Sequence, residues 1–127
     1  INHQGPDGQL APSLLAMNGP EVYKFATRTM VKDIRAALAK LGLNAADIRY
    51  YVPHQANIRI IQSAASLLKV SEERFFVNIQ EVGNTSCASV AIALDELARS
   101  GKLQKGDLVL LSAFGGGLTS AVSVIRW

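Results

Sequence analysis

The chain has 127 residues, enough for one domain with a real core. Apolar residues make up 49% and charged residues 18%, and the formal net charge is +3. The basic residues are scattered, which argues against a dedicated nucleic-acid surface, and no apolar run approaches the roughly 18 residues of a membrane helix.

Residues 1–19 read as an irregular N-terminal segment, rich in Gly, Pro, Asp and Asn, and residues 20–127 as one domain. Pro20 suits the first position of a helix. From Glu21 to about Leu41, Val31, Ile34, Leu38 and Leu41 recur at helical spacing, and Gly42 is a C-terminal stop. Ile48–Pro53 reads as a short strand, Ala56–Lys69 as a second helix and Phe75–Ile79 as another strand. Gly83–Asn84 is a turn. Thr85–Leu94 carries no charge and mostly small side chains, which predicts a helix buried on nearly all sides and closed by Gly101. Leu108–Ala113 is a continuous apolar run suited to a strand covered on both faces. Gly115–Gly117 is a tight turn, and Thr119–Trp127 is the last strand, antiparallel to the one before it. Strands alternating with helices imply an α/β fold.

Cys87 is the single cysteine, so no intrachain disulfide is possible. A reducing compartment, the cytoplasm, is expected. The chain starts at Ile1 rather than Met, and a piece of a longer polypeptide is expected. With two His and one Cys at no ligand spacing, no metal site is expected.

Three segments lie at strand ends or helix starts, where ligands bind in open α/β sheets. They are Val52-Pro53-His54-Gln55-Ala56-Asn57, Gly83-Asn84-Thr85-Ser86 and Phe114-Gly115-Gly116-Gly117. His54 fits a ring donor into a cleft or a satisfied structural histidine. Asn84 fits an N-cap, and its amide also fits a donor to an oxyanion. The Gly triplet fits a hairpin turn or a backbone donor. Cys87 fits a small packed residue better than a nucleophile. His3 is assigned nothing.

Taken together, the three segments resemble the His, Asn and closing Gly-rich motifs of the beta-ketoacyl carrier-protein synthase III family. Met17-Asn18-Gly19-Pro20-Glu21-Val22-Tyr23-Lys24-Phe25 is similar to the stretch before that family's long helix. The resemblance runs from about residue 17 to the end. It implies the C-terminal half of a duplicated thiolase-like fold: a mixed sheet with parallel strands and a final antiparallel strand, with helices on both faces.

The resemblance also implies a cytoplasmic homodimer of fatty acid biosynthesis. That enzyme would join an acyl group from acyl-CoA to malonyl acyl carrier protein, with coenzyme A and phosphopantetheine thioesters as substrates and no cofactor. The nucleophilic Cys would lie in the N-terminal half, so this chain alone is expected to be inactive. His54 and Asn84 would be the catalytic donors to the enolate oxygen, with His54 neutral. The Gly116 N–H would serve the second oxyanion. Asn57, Met17, Gly19 and Tyr23 would line the pantetheine or acyl channel, and Arg59 would meet the carrier protein. Two departures stand out: the family often has Ala where Cys87 stands, and Ser66 and Leu67 occupy a stretch where Lys is common. Acyl transfer to oxygen or nitrogen without condensation, and a noncatalytic half-domain, are the alternatives.

Overall fold

The computed structural model describes residues 17–127, so His3 and most of the expected irregular segment lie outside the described residues. Helix α1 spans Gly19–Leu41. Asn18 caps it, its side-chain oxygen accepting the Glu21 N–H, and Gly42 ends it at φ 66°, the left-handed conformation that glycine enters without steric cost. Ala26, Met30, Val31, Ile34 and Leu38 form its buried stripe. Strand β1 is Ile48–Pro53. Helix α2 is Ile58–Leu68, begun by Asn57, whose Oδ1 accepts the Arg59 N–H at 2.9 Å. A short helix α3, Ile79–Val82, a 3-10 turn, Ser86–Ala88, and helix α4, Ser89–Arg99, follow. Strands β2, Leu108–Gly115, and β3, Thr119–Arg126, close the chain.

The sheet has the order β1-β2-β3, with β1 parallel to β2 and β2 antiparallel to β3. Side chains alternate across a strand. Tyr51 and Leu110 therefore join the core under α1 and α2, while Val52 and Val109 join Ala93 and Leu97 of α4 on the other face. The architecture is the expected α/β mixed sheet with helices on both faces.

Two expectations are corrected. Phe75–Ile79 is not a strand. It makes one parallel bridge, Tyr51 to Phe75, and then turns into α3. The buried Gln55 side chain takes the place of a ladder: its Nε2 donates to Phe76 O at 3.1 Å, and its Oε1 accepts the Asn78 N–H at 3.2 Å. These bonds satisfy the backbone groups that a neighbouring strand would otherwise pair.

The second correction concerns Thr85–Leu94, which is not buried on all sides. Ser89 and Ala93 are buried, whereas Ser86, Cys87, Ala88 and Ala91 are exposed. Small uncharged side chains make a surface that can be covered, but this chain covers only the face lying on the sheet.

Candidate active site

The parallel pairing of β1 with β2 builds the site. Pro53 lies beside Ser112, and the His54 N–H continues the ladder by donating to Ser112 O at 2.7 Å. The carboxyl ends of both strands therefore open at one edge of the sheet. There the rings of His54 and Phe114 meet edge to face, 5.2 Å apart at 73°. The β2–β3 turn carries Gly116 to the same place. His54, Ser86, Cys87, Ser89, Phe114 and Gly116 are among the residues around a cavity of about 580 Å³.

His54 is half-buried, and burial lowers its pKa from the ordinary histidine value because a charged ring loses solvation. Its Nδ1 lies 2.5 Å from the Ser89 hydroxyl, and that oxygen also accepts the Gln55 N–H at 3.2 Å. Gln55 is fully buried, and its Nε2 further donates to Pro53 O at 2.8 Å. One side-chain amide thus ties the end of β1 to the segment before α3. Asn78 prolongs the network, donating from Nδ2 to Glu96 on α4 at 3.0 Å.

Asn84 is exposed and does not line this cavity, although Ser86 and Cys87, two and three residues on, do. Its Oδ1 accepts the Ser86 N–H at 3.0 Å. A backbone N–H can only donate, so the amide oxygen is identified by chemistry, and the NH₂ group remains as the donor end. Asn84 therefore closes an Asx turn onto Ser86 and is not the N-cap of the 3-10 turn or of α4, which are Thr85 and Ala88.

The other expected site residues lie elsewhere. Met17 is 68% exposed, just ahead of α1, and Gly19 opens that helix. Asn57 and Arg59 are exposed at the start of α2. The Tyr23 hydroxyl shares a 2.8 Å hydrogen bond with Ser63 Oγ, joining α1 to α2 beside a shallow groove. Cys87, expected as a packed side chain, is instead an exposed wall of the His54 cavity. No group of three or more His, Cys, Asp or Glu side chains that could hold a metal ion occurs among the described residues, and no described helix is long and apolar enough to cross a membrane.

Sequence reasoning missed Ser89, Gln55 and Phe114 as site-building residues. Gln55 and Phe114 sit inside the motifs already singled out. Ser89 left no separate signal, because its burial and its partner follow from the packing of α4 on the sheet.

Comparison with known proteins bears on this arrangement. The family described as 3-Oxoacyl-[acyl-carrier-protein (ACP)] synthase III C terminal matches residues 38–127. The beta-ketoacyl-[acyl-carrier-protein] synthase III of Clostridium acetobutylicum is 46% identical over 127 residues, which is 100% of this chain and 39% of that protein. A crystal structure of the Thermus thermophilus beta-ketoacyl-[acyl carrier protein] synthase III superposes with a TM-score of 0.88 at 48% identity, covering 98% of this chain and 39% of that one. A priming beta-ketosynthase of a polyketide pathway superposes with a TM-score of 0.81 at 41% identity, covering 87% of this chain and 34% of that one. The chain thus spans about two fifths of the length of the relatives it matches.

Proposed function

Because the chain belongs to the 3-oxoacyl-[acyl-carrier-protein] synthase III family, as its C-terminal part, we propose that it supplies the decarboxylating side of a Claisen-condensing active site. In the complete polypeptide, where an N-terminal portion such as its relatives carry is joined to this chain, a Cys of that portion attacks an acyl-CoA thioester and releases the coenzyme A thiol. Malonyl on acyl carrier protein then binds. Its carboxylate leaves as carbon dioxide, and the electron pair of the broken bond forms an enolate with its charge on the thioester oxygen.

The His54 ring N–H donates to that oxygen from the cavity, and the Asn84 amide N–H, exposed and outside the cavity in this chain, becomes the second donor once the N-terminal portion is joined. Loss of one such donor elsewhere costs roughly 3–4 kcal/mol, or about 10²–10³ in rate. The enolate carbon next attacks the acyl-Cys carbonyl and forms the carbon–carbon bond. The Gly116 N–H holds the oxyanion made there until the Cys thiolate departs. Both enolate donors are neutral, and for His54 burial favours the neutral ring.

The observation that carries this reading is the cavity shared by the half-buried His54 and the Gly116 turn, at the carboxyl ends of two parallel strands. In the same reading Met17, Gly19, Tyr23 and Asn57 line the pantetheine or acyl channel once the N-terminal portion is present. Arg59 meets the acidic carrier protein. The complete protein works as a cytoplasmic homodimer.

The test is His54→Ala in the complete polypeptide. Malonyl decarboxylation should fall about 10²–10³-fold, while acylation of the Cys by acyl-CoA persists. Equal loss of both steps would overturn the assignment.

A further inference from the structure

We propose that Ser89 is a positioning residue that sets the tautomer of His54: it holds the ring with Nδ1 bare and the hydrogen on Nε2, the nitrogen available to a thioester oxygen in the cavity. The inference rests on the enolate-stabilising role given to His54 above, and it deepens that role by naming what makes the ring a donor on the correct side.

The hydrogens around Ser89 allow one complete pairing. A serine hydroxyl has one O–H to give and two lone pairs to receive. The Ser89 oxygen accepts the Gln55 N–H and lies 2.5 Å from His54 Nδ1. If Nδ1 carried a hydrogen, the Ser89 oxygen would accept twice, and its own O–H would need another acceptor. Those two are the hydrogen bonds of the Ser89 hydroxyl among the described residues, and at 1% exposure the residue has no water to turn to. A buried donor without a partner is costly. The arrangement that leaves nothing unpaired has the hydroxyl donating to a bare Nδ1, which puts the ring hydrogen on Nε2.

Position reinforces that pairing. Ser89 is the first residue of α4, and its one hydroxyl holds two consecutive residues at the end of β1. The ring is thereby oriented from the opposite face of the sheet to α1 and α2. The Phe114 ring meets it edge to face.

The experiment uses the complete polypeptide with ¹⁵N-labelled histidine, His54 being assigned by the signal missing in His54→Ala. Wild type should show a single neutral tautomer, with Nδ1 in the unprotonated region and Nε2 in the N–H region. Ser89→Ala should add the Nδ1–H tautomer and lower the rate constant for decarboxylation roughly 3- to 10-fold, the range for one hydrogen bond. The KM for the malonyl substrate and acylation of the Cys should stay near wild type. Ser89→Cys keeps the size but has only a weak S–H donor, and should fall between the two. A protonated Nδ1 in the wild type, or a Ser89→Cys variant indistinguishable from wild type, would overturn the inference. Decarboxylation that survives in His54→Ala would instead remove the enolate reading, whatever the tautomer proves to be.

Discussion

The Phe114 ring meets His54 edge to face, 5.2 Å between centroids, because parallel β1 and β2 end side by side. Phe114 is therefore part of what keeps the imidazole out of water. Burial is the cause of the lowered His54 pKa, so thinning that wall should raise it. In Phe114→Ala the His54 titration should move up toward the ordinary value, and the acid limb of decarboxylation should move up with it. NMR titration of the ring, set beside the pH–rate profile, checks both. An unchanged titration would mean that Phe114 contributes none of the burial.

The same shift has a consequence for stability. The folded His54 binds a proton less readily than the unfolded one, so the unfolded chain takes up more protons as the pH drops. The stabilisation is fully present above the unfolded histidine pKa, about 6.5. It is lost as the pH falls through that value toward the lower folded one. Thermal melts across this window should decline less in His54→Gln than in the wild type.

Gln55 should be a stability residue. Truncation to Ala leaves the Asn78 N–H and two carbonyls without their partner and opens a void, costing roughly 2–4 kcal/mol. Gln55→Glu is the sharper probe, since a carboxylate cannot donate to the carbonyls of Pro53 and Phe76. The carboxyl should fold protonated, with its pKa raised. Relative to wild type, the loss of stability should therefore be smallest at low pH and grow as the pH rises through that raised value. Denaturant titrations at several pH values would show it.

Gly116→Ala separates folding from chemistry. A Cβ there meets nothing within 4 Å, so the melting temperature should barely change, in keeping with surface substitutions of about 0.5 kcal/mol or less. Gly116 nevertheless lines the cavity, so the added methyl group changes the wall beside the acyl-Cys. Condensation in the complete polypeptide should slow while malonyl decarboxylation is spared. Equal slowing of both would count against a role for the Gly116 turn confined to the condensation step.

Cys87 lines the cavity, yet it is not the proposed nucleophile. The 127-residue chain alone should give no condensation product from acyl-CoA and malonyl acyl carrier protein. In the complete polypeptide, Cys87→Ala should acylate and condense at the wild-type rate. Mass spectrometry of the acyl-enzyme checks both. An acyl group found on Cys87 would reverse the assignment.

The amino-acid sequence by itself determined the elements whose signals are local. The buried stripe of α1 and its stop at Gly42, the bounds of β1, and the hairpin after the Gly triplet all arise from periodicity and turn chemistry acting over a few residues. The three segments that carry the family resemblance were legible for the same reason. Tertiary structure alone decided what depends on a partner distant in sequence. Phe75–Ile79 has strand-like composition, but Gln55 already holds its backbone, so it turns into α3. The small residues around Cys87 have the composition of a core, but burial belongs to whatever packs against them, and here only one face does. The contact between Ser89 and His54, 35 residues apart, follows from α4 crossing the sheet edge where β1 ends, a relation that no periodicity within either segment encodes.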